Sequence, residues 1–175
     1  MQWLQDEARR SRNDRESSGF LQLLTRPDLL RIFSVSFGSF FVFSSIFNYL
    51  PFYLAAPPFN APTQVITVLY LSYVVGLVTG PIAGALSNRM GTGAAMSLGA
   101  FLFASAIALT LIKSMIAVGL SLMLVCAGFF TVHASAAGAL NRKITSGRGR
   151  ANSLYVLFYY LGGFAGITSG GWAYI

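Results

Sequence analysis

Long charge-free stretches dominate this chain. After Arg31 the next charged residue is Arg89, and uncharged intervals then run from Met90 to Ile112, from Ser114 to Asn141 and from Ala151 to Ile175. A helix that crosses a bilayer takes about 20 apolar residues, so each later interval is long enough for one crossing. The first is too long for one, and Pro57-Pro58-Phe59-Asn60-Ala61-Pro62 divides it with a helix-breaking turn. Five transmembrane helices are predicted, over about 28–53, 63–87, 92–112, 116–140 and 151–174.

Helices rather than strands follow from the absence of alternation. A membrane strand alternates apolar and polar positions over ~10 residues, whereas Phe101-Leu102-Phe103-Ala104-Ser105-Ala106-Ile107-Ala108-Leu109 is apolar nearly all round. The expected fold is therefore an all-α membrane protein with two regions, a polar segment over 1–27 and a helical bundle over 28–175. The polar segment centres on the charge-mixed run Arg9-Arg10-Ser11-Arg12-Asn13-Asp14-Arg15-Glu16 and has no apolar stretch of the signal-peptide kind, which makes it cytosolic. Phe20-Leu21-Gln22-Leu23-Leu24 reads as a short interfacial helix, with Asp28 well placed at the start of the first span.

Composition sharpens this picture. Of the 175 residues 55% are hydrophobic and 10% charged, against roughly 25% charged in a soluble domain. All five acidic residues, Asp6, Glu7, Asp14, Glu16 and Asp28, lie in the first 28 positions. Paired-carboxylate hydrolysis and carboxylate-bound Mg²⁺ or Ca²⁺ need acids that the main body lacks. One cysteine, Cys126, and one histidine, His133, leave no intrachain disulfide and no multi-thiolate or His-rich metal site. Neither a metal nor any other cofactor is expected, and the chain does not read as an enzyme.

The net charge of +7 does not mark a nucleic-acid surface, because the cations outside the first 31 residues stand singly or in one cluster between apolar runs. With the N-terminus inside, eleven cations fall on the inner side and Lys113 alone on the outer. That asymmetry predicts a cytoplasmic N-terminus and a multi-pass protein of the inner (plasma) membrane.

Small residues recur every four positions in two spans, Gly76, Gly80 and Gly84 in the second and Gly162, Gly166 and Gly170 in the fifth, with a looser series of Ala127, Ala134 and Gly138 in the fourth. Such faces let helix backbones approach closely in lipid. Polar groups at membrane depth are costly and mark bundle interiors or watery cavities. They are Ser44, Ser45, Asn48 and Tyr49 in the first span, Tyr70, Ser72 and Tyr73 in the second, His133 and Ser135 in the fourth, and Asn152, Tyr155, Tyr159 and Tyr160 in the fifth. The third span has almost none and is expected to face lipid. Candidate cavity residues are thus Asn48, Tyr49, Tyr73, His133, Tyr155 and Tyr159. Intramembrane serine proteolysis from Ser169 and His133 is disfavoured, because the expected topology sets them toward opposite ends of their helices.

The loop Gly84-Ala85-Leu86-Ser87-Asn88-Arg89-Met90-Gly91 resembles the G-x-x-x-D-R-x-G signature of the major facilitator superfamily in the form found between helices 8 and 9, with Asn88 where the motif has Asp. Phe47-Asn48-Tyr49-Leu50 with Ala56-Pro57-Pro58-Phe59, and the run from Gly147 to Gly163, are similar to the bacterial sugar or drug efflux permease branch. The resemblance implies the C-terminal half of a twelve-helix secondary transporter, helices 7 to 11, in which two halves rock about a midplane site. It further implies a small-molecule substrate, proton-coupled efflux, a missing N-terminal half as partner, and a cytoplasmic gate motif at Gly84, Asn88, Arg89 and Gly91. Helices 7, 8, 10 and 11 would face the cavity or the other half, and helix 9 the outside. The alternative from another class is a small membrane scaffold or assembly subunit without transport activity.

Overall fold

A computed structural model of the chain describes residues 19–145 and 147–174; the charge-mixed run at 9–16 and four of the five acidic residues lie outside them. Among the described residues every regular element is a helix. A short helix α1 over 19–24 leads into α2 (Pro27–Ala55), then α3 (Thr63–Leu69), a 3₁₀ turn (Tyr70–Tyr73), α4 (Val74–Met90), α5 (Thr92–Leu109), α6 (Met115–Lys143) and α7 (Arg148–Tyr174). With no water at membrane depth, backbone groups have to be satisfied within the segment, and helices do this.

Four helical stretches are long and apolar enough to cross a membrane: Pro27–Ala55, Thr63–Met90, Thr92–Leu109 and Met115–Lys143. The chain is a multi-pass membrane protein. α7 matches them in length with 27 residues, but its tyrosines and glycines dilute its apolar character. It lies along α2, the most extensive helix pairing in the bundle.

Local chemistry sets the ends. Arg26 is extended (φ −83°, ψ 111°) ahead of Pro27, which sits at the first helical position where its missing N–H costs nothing. Asp28 follows in the first turn, where a carboxylate meets the positive end of the helix dipole. Gly91, at φ +87°, joins α4 to α5 without a linker, a conformation that a side chain would strain. The second span, expected as one continuous helix, is interrupted by the 3₁₀ turn at Tyr70–Tyr73. The third stops at Leu109, with Thr110–Ile112 in tighter turns.

Residue pairing gives the topology. Along α2 and α7 partners rise together: Ser36 donates to the Tyr155 carbonyl (3.3 Å), Ser44 to that of Gly163 (3.1 Å), Ser45 to that of Gly166 (2.6 Å) and Tyr49 to that of Ile167 (2.9 Å). The two helices are parallel. α4 and α6 are parallel too, Ser72 lying by Cys126, Gly76 by Phe130 and Ser87 by Arg142. α5 runs antiparallel to α6, with Gly99 against Val132 and Ala106 against Ser121. Successive spans therefore alternate in direction. α6 touches α2, α4, α5 and α7, while α5 packs on α6 and α4 at the edge of the bundle.

Among the described cations, Arg26, Arg31, Arg89, Arg142, Lys143, Arg148 and Arg150 gather at one end and Lys113 lies at the other. Lys143 pairs with Asp28 (3.4 Å), and Asn152 donates to the Asn141 side chain (3.1 Å), tying the starts of α2 and α7 to the end of α6. One apolar cluster near this end joins Leu29, Ile32 and Phe33 to Ala136, Leu140, Ile144 and Leu154. A second, further along, joins Phe43, Phe47 and Leu54 to Phe103, Leu122 and Phe129.

Candidate functional site

Four elements meet at mid-depth around His133. It lies ten residues from the end of α6, so at ~1.5 Å per residue it is about 15 Å along the axis from the basic end. The Tyr155 hydroxyl lies 3.1 Å from His133 Nδ1 and 3.3 Å from the His133 carbonyl oxygen. A hydroxyl has one proton to give. When Tyr155 donates to the carbonyl it accepts from Nδ1–H, and when it donates to Nδ1 the ring proton sits on Nε2.

Aromatic rings build the walls. Tyr159 stacks on Phe40 of α2 with centroids 3.8 Å apart and planes at 10°. Phe43 stacks on Phe129 of α6 at 4.0 Å, and Phe129 in turn lies parallel to the His133 ring at 5.8 Å. The His133 and Tyr159 rings are 5.0 Å apart. Tyr73, from the 3₁₀ turn, closes the group edge-on against Phe43 at 5.5 Å and beside Phe47 at 4.5 Å. Such offset and edge-to-face pairs are each worth about 0.5–1.5 kcal/mol beyond area burial. His133 and Tyr159 are half-buried, Tyr155 is buried and Tyr73 is exposed. The group thus combines rigid apolar faces, three phenolic hydroxyls and one imidazole. Aromatic faces of this kind can stack on flat organic molecules, and the hydroxyls and imidazole can give or take hydrogen bonds.

The six candidate cavity residues separate. His133, Tyr155, Tyr159 and Tyr73 come together. Tyr49 instead spends its hydroxyl on the Ile167 carbonyl, holding α2 to α7, and Asn48 is exposed with no hydrogen-bond partner among the described residues. Ser135 Oγ is buried without a partner among the described residues, and nothing in the structure explains it. Phe40, Phe43 and Phe129 carry the walls and are absent from a polar census. Their signal was spacing, since Phe40, Phe43 and Phe47 fall three and four apart on one helix face.

At the basic end, the gate-motif loop is tied by residues other than its arginine. Arg142 of α6 donates to Ser87 Oγ (3.2 Å) and to Thr92 Oγ1, and Ser87 donates to Thr92 (3.2 Å). Asn88 and Arg89 are exposed and make no hydrogen bond or ion pair among the described residues. Gly84 has open space beside it, and Gly91 supplies the left-handed corner.

Comparison with known proteins decides the family. The family model described as Major Facilitator Superfamily matches residues 2–167. The chain belongs to the Major Facilitator Superfamily. It is 30% identical over 154 residues to an uncharacterized transporter of Buchnera aphidicola subsp. Schizaphis graminum, covering 87% of this chain and 37% of that protein. It is 32% identical over 129 residues to the Escherichia coli inner membrane transport protein YnfM, covering 74% and 31%. It is 28% identical over 145 residues to the Bacillus subtilis uncharacterized MFS-type transporter YybF, covering 81% and 36%. The chain spans about a third of the length of these relatives. No solved structure matches it.

Proposed function

We propose that this chain supplies helices 7 to 11 of a facilitator that moves a small organic molecule across the bacterial inner membrane by alternating access, as a proton-coupled efflux carrier. The spans are α2, α3–α4, α5, α6 and α7, and the facing bundle comes from the N-terminal half. The observation that carries this reading is the cluster of His133, Tyr155, Tyr159 and Tyr73 at mid-depth. It draws on the four spans that the family pattern turns toward the cavity and omits α5. Repeat-built transporters bind near the midplane, where two bundles meet. Asn48, whose side-chain amide has no partner among the described residues, extends the same polar lining from α2, while Tyr49 steadies the helix behind it.

Proton coupling needs a titratable group, and from Leu29 to Ile175 the chain has no carboxylate. His133 is the local candidate, since imidazole alone among its span residues changes charge near neutral pH. The basic end is cytoplasmic on the positive-inside rule, which puts Arg89 and the Ser87–Thr92–Arg142 tie at the cytoplasmic gate.

Single cysteines at positions 48, 133 and 159, in a Cys126→Ser version of the complete transporter, test this reading. Each is expected to react with a water-soluble maleimide and to be protected by a transported compound. Inert thiols at 133 and 159 in active protein would make the cluster packing only and remove the site.

A further inference from the structure

We propose that Tyr155 is a positioning residue for His133: it fixes the neutral imidazole as the Nδ1–H tautomer and leaves Nε2 as the atom that takes up and returns a proton. Resting on the reading of the cluster as a cavity site with His133 as its proton carrier, this role names the nitrogen that exchanges and the residue that selects it.

Two distances carry it. The Tyr155 hydroxyl lies 3.1 Å from His133 Nδ1 and 3.3 Å from the carbonyl oxygen of the same histidine. A hydroxyl has one proton and two lone pairs. If it donated to Nδ1, its approach to the carbonyl would set one acceptor against another, and sharing the one proton would weaken both contacts. If it donates to the carbonyl, both contacts are hydrogen bonds, because Nδ1–H then donates to the phenolic oxygen. That carbonyl lies within α6, where the helical N–H of Ala137 takes one of its lone pairs and the second is open to the hydroxyl. The bond made at one ring nitrogen decides which of the two carries the proton.

The phenol is held from behind. Tyr155 is buried, and Ser36 of α2 donates to its main-chain carbonyl at 3.3 Å. Phe129 and Tyr159 flank the imidazole with ring centroids 5.8 and 5.0 Å away. The other titratable groups of the cluster are the phenols of Tyr159 on α7 and Tyr73 in the 3₁₀ turn, and α2 presents Phe40 and Phe43. Among the described residues no charged side chain bonds to the ring, and Nε2 has no hydrogen-bond partner. Nε2 is not sealed in, since the side-chain polar atom that is both buried and unpartnered among those residues is Ser135 Oγ.

A proton from cavity water adds to the Nε2 lone pair, giving imidazolium, and leaves from the same atom. Nδ1–H, the phenolic oxygen and the carbonyl keep their bonds in both states, and Tyr155 stays neutral. No side chain has to move for the charge to change.

His133 is the single histidine of the chain, so nitrogen NMR of the full chain in phosphatidylcholine nanodiscs, purified without a histidine tag and isotope-labelled on the histidine ring, reports on this residue alone. The neutral ring is expected to carry its proton on Nδ1, and as pH falls through the imidazole range Nε2 gains a proton while Nδ1 keeps its own. Tyr155→Phe keeps the ring and loses the hydroxyl. It is expected to lower the ratio of Nδ1–H to Nε2–H about 5-fold, the effect of about one net hydrogen bond, with helicity by circular dichroism unchanged. Tyr159→Phe removes a hydroxyl that bonds to neither imidazole nitrogen and should leave the ratio as it is. A parent ring protonated on Nε2, or a ratio unmoved by Tyr155→Phe in helical protein, overturns the role of Tyr155, and the parent spectrum decides this whether or not the variant folds. A ring that does not titrate overturns the proton exchange. Inert thiols at 133 and 159 in the maleimide test defeat the cavity reading itself, whereas an Nε2–H parent ring alongside reactive, protected thiols defeats the role of Tyr155 alone.

Discussion

The Tyr70 hydroxyl donates to the Phe47 carbonyl oxygen at 2.7 Å, and Phe47 is the residue four positions before Pro51. Proline has no N–H, so within α2 this carbonyl loses its helical donor. At membrane depth no water replaces it. The 3₁₀ turn at Tyr70–Tyr73 delivers that donor from a neighbouring span, and it also swings Tyr73 against Phe43 and Phe47. A proline in one helix and a break in another are thus one structural feature, placed beside the His133 cluster.

Tyr70→Phe is expected to destabilise the bundle by about 1–2 kcal/mol, the cost of a buried acceptor left unpaired, read by unfolding in a denaturing detergent series. Pro51→Ala restores the N–H, so Tyr70→Phe should cost markedly less in that background. Equal costs in both backgrounds would separate the hydroxyl from the proline and leave the 3₁₀ turn without this explanation.

Glycine spacing makes the same promise in two helices, and the structure keeps it throughout the α7 series but in α4 only at Gly76, which lies against the Phe130 ring. A Cβ added to Gly162 or Gly166 would run into the backbone carbonyls of Phe37 and Phe41, whereas one added to Gly80 or Gly84 meets nothing within 4 Å. Gly166→Ala is expected to push α7 off α2, break the Ser45 hydrogen bond and cost upwards of about 2 kcal/mol, in the range for overpacking. Gly84→Ala, which is not followed by a proline as Gly80 is, should lie within about 1 kcal/mol of the parent and on the favourable side, from helix propensity. Thermal stability in one detergent compares them directly.

These contrasts show what the sequence could reveal. Charge-free intervals and one proline-rich turn delimit the spans, because burying a charge in lipid is costly enough to leave a plain gap. The edge position of α5 is legible in its lack of polar side chains. Residues with a polar atom, such as His133, Tyr155 and Tyr159, stand out against an apolar background. Phe40, Phe43 and Phe129 do not, since a phenylalanine that lines a site and one that meets lipid look alike in sequence. Spacing of four names a helix face but not its partner, which is why Gly80 and Gly162 cannot be told apart before α2 is seen beside α7. Gly128 illustrates the reverse. Outside the four-residue series, it is nonetheless the α6 glycine pressed on the Phe103 and Gly99 backbone.

The arrangement at the basic end predicts a measurable sidedness. In intact cells a cysteine at position 145, in a Cys126→Ser background, should resist an impermeant thiol reagent, and a cysteine at position 113 should react. The α6–α7 loop carries cations on both flanks, and Lys113 is the lone cation of the opposite end among the described residues. External labelling at 145 would invert the bundle.

The gate loop yields the last prediction, because its hydrogen bonds and its motif arginine part company. Arg142 holds Ser87 and Thr92 across the α4–α5 corner, while Arg89 stands exposed with no partner among the described residues. Arg142→Ala removes a charged donor from two hydroxyls and unties that corner from α6, so it should lower both the stability of the bundle and the transport activity of the complete carrier. Hydrogen bonds to charged groups contribute about 1.5–3 kcal/mol, which sets the scale of the stability loss. Arg89→Ala breaks no side-chain bond among the described residues. It should leave abundance and unfolding unchanged and act on transport alone, through a contact made with the other half when the gate closes. Asn88 in place of an acid gives Arg89 no carboxylate neighbour in its own loop, so Asn88→Asp should strengthen the latch and slow its opening. Transport rates and detergent unfolding of the three variants separate the cases: equal destabilisation by Arg89→Ala and Arg142→Ala would mean that Arg89 is a packing residue, and unchanged transport in Arg89→Ala would remove it from the gate.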